Sequence, residues 1–376
     1  MASHGVPRVA PTEARTGQAR QKELEKIEEY VDLVAQVNAN IAERHFTIEV
    51  LVLTSKLLKK NPEDYTVWNH RRLILQHHFR TPLAASAKSP STSTALSASQ
   101  QSVLDLITSD LGFLVPLLVA FPKCYWIWNH RTWLLEQSTS QLPAITARRL
   151  WQDELSLVGK MLNRDKRNFH GWNYRRLVVA QLELHPPSDG HAESYDASSR
   201  ATMVEAEFSY TTKMINSDLG NFSAWHNRSK LIPRLLDERK ADAAARREML
   251  DAEFDLTQQA LIDPENQSMW FYHQFLMSTL SPECPRHAAI VLDLTNHDRC
   301  GYYERELARV KEMLDDYQDC KWVYQALLQY AAVYREVDAG NKAFTTIEMR
   351  HWLQELRRLD PLRSGRWDDM EKSLEL

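Results

Sequence analysis

The sequence predicts an all-α fold in which helical hairpins stack into a right-handed α-α superhelix, or solenoid, and three observations lead to this prediction. A short string returns five times with its tryptophan in register, at a basic period of about 44 residues. The segments between the copies carry apolar residues at three- and four-residue spacing, as in amphipathic helices. Only 10 of 376 residues are glycine, which disfavours turn-dense β-sandwiches and Gly-rich phosphate loops. Each period then holds two helices and two short connections.

The repeated string marks the first turns of one helix in each repeat. One clear copy reads Asn-Pro-Glu-Asp-Tyr-Thr-Val-Trp-Asn-His-Arg and ends at Arg71, and two fainter copies follow the five clear ones. Successive tryptophans are 60, 44, 53, 45, 52 and 45 residues apart, which predicts about seven repeats. These tryptophans are Trp68, Trp128, Trp172, Trp225, Trp270, Trp322 and Trp367.

The residues before each tryptophan predict the preceding turn. Seven positions earlier, six of the seven copies have Asp or Asn, which ends one helix and turns the chain. Four positions earlier, four copies have a residue suited to cap the next helix, whereas Cys124 breaks that pattern. The expected N-caps are Asp64, Asn168, Asn221 and Asn266.

Residues that recur from copy to copy are interpreted as scaffold. Each tryptophan, and the aromatic residue three positions before it, is expected to act as a hydrophobic peg between stacked helices. The arginine three positions after the tryptophan lies on the same helix face and is expected to fix a carboxylate or helix carbonyls. The preceding aromatics are Tyr65, Tyr125, Phe169 and Phe222, and the arginines are Arg71, Arg131, Arg175 and Arg228.

The domain prediction is one helical-repeat domain over residues 21–376, preceded by a flexible N-terminal arm, residues 1–20. A charged amphipathic helix is expected to begin at Gln21. Two inserts, near 81–102 and 186–199, lengthen the spacing and are expected to be mobile surface loops without chemistry.

Composition excludes several classes of function. The net charge of -4 provides no global field for nucleic acid or an anionic membrane. The four cysteines lack C-x-x-C spacing, so neither a thiolate zinc site nor a disulfide framework is indicated. The N-terminus lacks a signal-peptide pattern, and the longest apolar run, Leu111 to Pro122, is too short to span a bilayer. We expect a cytoplasmic protein without membrane insertion.

Candidate binding residues lie where equivalent positions differ. Five positions before the tryptophan the repeats have Glu63, Lys123, Arg167, Gly220 and Glu265. Adjacent repeats stack, so the two cations should lie close together at neighbouring helix starts, with Asn168 and His170 alongside. Such a cluster would suit a phosphate or diphosphate, although a solvated charged rim fits the pattern equally well.

The repeated aromatic-x-x-Trp-x-His/Tyr-Arg string resembles the repeat of protein prenyltransferase α subunits, from about residue 45 to 275 and more weakly to the end. Within that family, residues 165–176, residues 263–273 and the N-terminal His4-Gly5-x-x-Arg8 resemble the Rab geranylgeranyltransferase (type II) branch more than farnesyltransferase. The chain resembles a short form of that branch, without leucine-rich repeats.

The resemblance implies an obligate heterodimer whose α solenoid wraps around a β subunit that holds the zinc ion and the lipid pocket. The implied reaction transfers geranylgeranyl from geranylgeranyl diphosphate to C-terminal cysteines of Rab GTPases, presented by a Rab escort protein, and serves vesicle transport. Zinc is expected on the β subunit, and magnesium is a further candidate cofactor.

The resemblance also implies site residues. The family's diphosphate-contacting lysine and neighbouring tyrosine correspond to Lys123 and Tyr125, and its Asn-aromatic-His string corresponds to Asn168, Phe169 and His170. Phe169 stands where farnesyltransferases carry tyrosine, so no hydroxyl is available there. The predicted catalytic residues are Lys123, Tyr125 and His170, and the predicted diphosphate-binding residues are Lys123, Arg167, Asn168 and His170.

No metal site is predicted on this chain, since the 14 histidines show no ligand spacing. His4, on the flexible arm, could reach the β subunit's zinc, although an ordinary solvated histidine fits it better.

Three rival interpretations remain. A non-catalytic tetratricopeptide-type scaffold has a period of 34 with small packing residues, unlike this chain. The α subunit shared by farnesyltransferase and geranylgeranyltransferase type I would act on CaaX proteins, but Phe169 and the Trp270-Phe271-Tyr272-His273 string favour the Rab enzyme. A self-contained enzyme lacks support, because no nucleophile-base pair, metal cage or nucleotide loop is present.

Overall fold

The computed structural model describes residues 17–80, 96–185 and 202–376. These residues form fifteen α-helices and contain no β-strand, which confirms the all-α prediction. The helices are α1 Gly17–Ala42, α2 Ile48–Lys60, α3 Tyr65–Arg80, α4 Ala98–Ala120, α5 Tyr125–Gln141, α6 Ala144–Arg164, α7 Phe169–Leu184, α8 Met203–Ser217, α9 Phe222–Glu238, α10 Ala243–Ala260, α11 Gln267–Thr279, α12 Asn296–Glu312, α13 Lys321–Val337, α14 Thr346–Leu359 and α15 Ser364–Leu374.

From α2 onward the described helices pack as seven consecutive pairs, from α2 with α3 to α14 with α15. Helix α1 precedes the first pair and packs on α2. The second helix of one pair also contacts that of the next, as in α5 with α7 and α9 with α11. The predicted number of about seven repeats is therefore confirmed.

Contacts group the chain into two compact units, Met1–Tyr195 and Asp196–Leu376. The first unit contains α1 to α7 and the second contains α8 to α15. The single domain over 21–376 stays a prediction.

Two predicted boundaries differ from the structure. Helix α1 begins at Gly17 rather than at Gln21. Helix α4 begins at Ala98, so the insert near 81–102 was drawn too long. Ser97 and Gln100 form a capping box there, which the Ser/Thr/Ala-rich composition concealed. Residues 81–95 and the second insert, 186–199, lie outside the described residues.

Helix α4 is, among the described helices, the one long and apolar enough to cross a membrane. The apolar run that begins at Leu111 covers only its second half, because polar residues such as Asp110 interrupt the apolar pattern before it. Its buried residues include Ile107, Leu114 and Leu118, and the helix packs against α5, as expected for a core helix of a helical protein.

The repeated tryptophans are buried, as predicted, and each of six donates its indole N–H to a carbonyl in the turn before its own helix. In three turns that same oxygen also accepts a bond from the residue preceding the equivalent helix of the next repeat. Pro62 O accepts from Trp68 at 2.8 Å and from Cys124 Sγ at 3.3 Å. The thiol of Cys124, which broke the N-cap pattern, thus links two repeats. The other two shared oxygens are Pro122 O, with Trp128 and Asn168, and Pro264 O, with Trp270 and Cys320.

The aromatic residues three positions before the tryptophans are not pegs, and that prediction was wrong. Their side chains are 50 to 63% exposed. Each is the first residue of its helix, so no earlier helical turn lies beneath a side chain that points back toward the N-terminus. These exposed residues are Tyr65, Tyr125, Phe169 and Phe222.

The repeated arginines are buried, and the structural role predicted for them is confirmed where partners are seen. Arg71 pairs with Asp110 and donates to the Leu51 carbonyl. Arg131 forms a fork on Glu154, with Nε at 3.0 Å from Oε2, and also donates to the Leu111 carbonyl. Arg228 forms the same fork on Glu253, and Arg175 is also buried.

Candidate functional site

The candidate site is built on the turns that open α5 and α7. Lys123 lies in the first turn, between α4 and α5, and residues 165–168 form the second, between α6 and α7. The Asn168 amide donates to the Pro122 carbonyl at 2.9 Å, which ties the two turns together. Stacking of consecutive repeats thus brings Lys123 beside α7, as the sequence analysis expected.

The Lys123 ammonium contacts a carboxylate from the second turn. Its Nζ lies 2.6 Å from Asp165 Oδ2, and each side chain is 29% exposed. The sequence pattern at Asp165 indicates only the end of a helix. The signal that could have revealed this contact is an acidic residue in the turn of the repeat that follows the lysine.

His170 and Tyr125 lie beside this ion pair. Their ring centroids are 6.2 Å apart, and the Phe169 ring lies 4.0 Å from the imidazole. Burial lowers the pKa of His170, and the charge of Lys123 lowers it further, against an opposing effect of Glu63. The imidazole is therefore neutral near pH 7 and can donate a hydrogen bond from one ring nitrogen.

Tyr125 is half exposed at the first position of α5. Its hydroxyl oxygen accepts from Asn129 Nδ2 at 3.2 Å, so the hydroxyl proton can be donated to an anion. Phe169 occupies the matching position of α7 without a hydroxyl, as the sequence showed.

Asn168 and Arg167 differ sharply in their surroundings. Asn168 is buried, and its Oδ1 accepts from the N–H groups of His170 and Gly171 at 3.1 and 3.2 Å. Its amide also donates to Pro122, so Asn168 serves as a cap and a link between repeats. Arg167 lies exposed in the same turn. The structure gives Asn168 a structural role, and its contact with a diphosphate stays a prediction.

Within residues 17–80, 96–185 and 202–376, no cluster of three or more metal-binding side chains is present. His4 lies outside the described residues. Burial raises the pKa of the Cys124 thiol to about 11, so this cysteine is protonated at neutral pH and is a poor nucleophile. Lys123, Tyr125 and His170 can offer a cation and hydrogen-bond donors to an anion.

Comparison with known proteins shows the family of the chain. The model of the protein prenyltransferase alpha subunit repeat matches residues 48–78, 108–138, 151–182, 204–235 and 250–280. Geranylgeranyl transferase type-2 subunit alpha of Saccharomyces cerevisiae is 34% identical over 72% of this chain and 70% of its own length. The chain belongs to the geranylgeranyl transferase type-2 alpha subunits. The relative from Schizosaccharomyces pombe is 29% identical over 99% of this chain and 98% of its own length.

Mammalian relatives of this type-2 alpha subunit are longer proteins. The one from Rattus norvegicus is 33% identical over 74% of this chain, which is 42% of that protein. Among solved structures, the Candida albicans protein geranylgeranyltransferase-I complexed with GGPP matches with a TM-score of 0.58. It is 19% identical, over 92% of this chain and 91% of that chain, so this likeness shows the fold alone. The predicted family and its type-2 branch are confirmed, and the tetratricopeptide alternative is excluded.

Proposed function

We propose that this chain is the α subunit of a heterodimeric Rab geranylgeranyltransferase and is active only together with a β subunit. The reaction moves the geranylgeranyl group from its diphosphate to C-terminal cysteines of Rab GTPases presented by an escort protein. The observation that carries the proposal is the Lys123, Tyr125 and His170 cluster, in a chain whose relatives are named for this transfer.

The chemistry needs a stabilised leaving group. The cysteine sulfur forms a bond to the first carbon of the lipid while the carbon–oxygen bond breaks, and the diphosphate leaves with the electron pair. Negative charge grows on its oxygens, and fixed donors stabilise that charge best. Lys123 supplies a cation, and Tyr125 and His170 supply hydrogen-bond donors. Zinc, which we place on the β subunit, would lower the pKa of the attacking thiol.

His170 is expected to take up a proton when the diphosphate binds. Its pKa is lowered here by burial and by Lys123, and a nearby dianion acts in the opposite direction. Binding of the diphosphate should therefore tighten as the pH falls through the range in which His170 titrates. Isothermal titration calorimetry in buffers of different ionisation enthalpy would measure this proton uptake.

The exposed aromatic residues support a partner-facing surface on the first unit. Tyr65 and Tyr125 both lie against Trp126, with ring centroids 5.7 and 5.3 Å apart. Large aromatics at an exposed helix start are typical of interface anchors. We place the β subunit on this surface and the finished heterodimer in the cytoplasm.

The test is lipid transfer by this chain co-expressed with a prenyltransferase β subunit. An escort-bound Rab and a C-terminal CaaX peptide are compared, with geranylgeranyl diphosphate as donor. Transfer to the Rab alone supports the proposal. Transfer to the CaaX peptide would move the chain to the α subunit shared by farnesyltransferase and geranylgeranyltransferase type I, and failure to form any complex would favour a scaffold.

A further inference from the structure

Asp165 ends helix α6, where the third repeat turns, and its carboxylate reaches back to the second repeat. Its Oδ2 lies 2.6 Å from Lys123 Nζ. Both side chains are less than one third exposed, so the pair is partly shielded from solvent while part of the lysine side chain stays accessible. Shielding strengthens such a pair relative to one on an open surface.

The side chain of Asp165 is not needed to end its helix. Its backbone N–H bonds to the Met161 carbonyl at 3.0 Å and closes α6 without help from the carboxylate. The contact of Oδ2 with Lys123 is therefore not part of closing the helix.

We infer that Asp165 is a positioning residue that holds the Lys123 ammonium in place for the diphosphate, an inference that rests on the function proposed above. A lysine side chain has many rotamers, and fixing them in the folded protein lowers the entropy lost when the anion binds. An ammonium carries three N–H donors, so a lysine paired with Asp165 keeps donors for phosphate oxygens.

A second effect of the Asp165 carboxylate, competition with the diphosphate for Lys123, predicts the opposite result. A carboxylate beside the lysine weakens its attraction for an anion, so Asp165 could instead compete with the diphosphate. Asp165→Asn removes the charge and keeps an acceptor oxygen, whereas Asp165→Ala removes both. Positioning predicts that the wild type is fastest, Asp165→Asn intermediate and Asp165→Ala slowest. Competition predicts that both variants exceed the wild type.

The experiment uses the chain purified with its β subunit. Single-turnover transfer to an escort-bound Rab is measured at saturating geranylgeranyl diphosphate, and we expect Asp165→Ala to lower the rate constant on the order of tenfold. The same substitution made on top of Lys123→Ala should change nothing further, because Asp165 acts through Lys123. An equal additional loss in that background would overturn the inference.

The chain offers a matched control. Asp360 occupies the equivalent turn position in the second unit, and its Oδ2 lies 3.4 Å from Lys321 Nζ. Asp360→Asn should leave the transfer rate unchanged, whereas a loss equal to that of Asp165→Asn would show that such pairs act only through general stability.

A second readout separates this inference from the proposed function. Binding of inorganic diphosphate to the same heterodimer, measured by calorimetry, requires neither a Rab nor lipid transfer. We expect Asp165→Ala to weaken binding several-fold in the wild-type background and not in the Lys123→Ala background. Absence of transfer to a Rab with this binding pattern intact would refute the proposed reaction and keep the inference, whereas unchanged or tighter binding would refute the inference itself.

Discussion

The turns that open α5 and α7 and those that open α9 and α11 share one skeleton and carry different chemistry. In all four, a tryptophan N–H bonds to a turn carbonyl. Five positions before the tryptophan, the first pair has Lys123 and Arg167, whereas the second has Gly220 and Glu265. The residue five positions before the tryptophan, which differs among the four turns, takes no part in the tryptophan hydrogen bond that all four share. A cationic site can therefore be placed on one turn without changing how the turn folds.

The largest expected effect is a loss of stability from the buried arginine networks, not a change at the candidate site. Arg131, Glu154 and Tyr174 form a buried network, with the tyrosine hydroxyl 2.6 Å from the carboxylate. Arg131→Ala leaves that carboxylate buried without its cation, which should lower the free energy of unfolding by about 3 to 5 kcal/mol. Urea denaturation followed by circular dichroism measures it.

The second unit contains a matching network of Arg228, Glu253 and Tyr272, with the hydroxyl at 2.6 Å. Arg228→Ala should be destabilising by a similar amount. A loss below about 1 kcal/mol in one unit only would show that the two networks are not equivalent.

Lys123→Ala should affect the reaction and not the fold. In the proposed reaction its ammonium meets charge that develops on the leaving diphosphate, so we expect the single-turnover rate constant to fall on the order of 100-fold. The melting temperature and Rab affinity should stay near wild-type values, since the side chain is partly exposed and lies in a turn. Fluorescence titration with a labelled Rab is the control, and an equal loss of Rab affinity would contradict this role.

The buried His130 should make the free energy of unfolding sensitive to acid. Burial lowers its pKa to about 4, although Asp110, with its carboxylate 2.7 Å from Nε2, acts in the opposite direction. In the unfolded chain His130 takes up a proton near pH 6.5, whereas in the folded chain it stays neutral until the pH approaches 4. The free energy of unfolding therefore has its full value above pH 6.5 and decreases as the pH falls toward 4. Asp110 does not titrate in this window, because Arg71 and His130 hold its pKa at about 2 despite its burial.

Urea denaturation from pH 7.5 to 4.5 measures this effect, with His130→Gln as the variant that cannot titrate. We expect the pH dependence of the free energy of unfolding to flatten in the variant. An unchanged slope would assign the acid sensitivity to other histidines.

The smallest effect is expected at the cap. Asn168→Ala removes the bonds to two N–H groups and the bond to Pro122, which should lower stability by about 1 to 2 kcal/mol. The melting temperature reports this, with Asn266→Ala in the second unit as control. If Asn168→Ala instead lowered the transfer rate as much as Lys123→Ala at equal stability, Asn168 would belong to the diphosphate site.

The sequence predicted the features that recur from repeat to repeat and those that depend on neighbouring residues in the chain. The tryptophan spacing, the N-caps such as Asn221 and the structural role of the arginines follow from patterns within one repeat. The contact of Asp165 with Lys123 joins two repeats and depends on which way a turn residue faces, so the acidic residue one repeat after the lysine was not recognised as its partner. The exposure of Tyr65 and Phe169 was missed although the N-caps Asp64 and Asn168 were predicted, because the start of a helix does not show which of its side chains a neighbouring repeat covers.

The turn carbonyls that accept two hydrogen bonds hold neighbouring turns at a distance that does not depend on how many residues lie between them in the chain. Contacts of this kind join Pro62 to Cys124 across 62 residues, Pro122 to Asn168 across 46 and Pro264 to Cys320 across 56. A single oxygen fixes each junction, whatever the length of the connecting segment. Insertions and deletions between helices can therefore accumulate during evolution while the register of successive repeats, and with it the geometry of a site shared by two of them, stays constant.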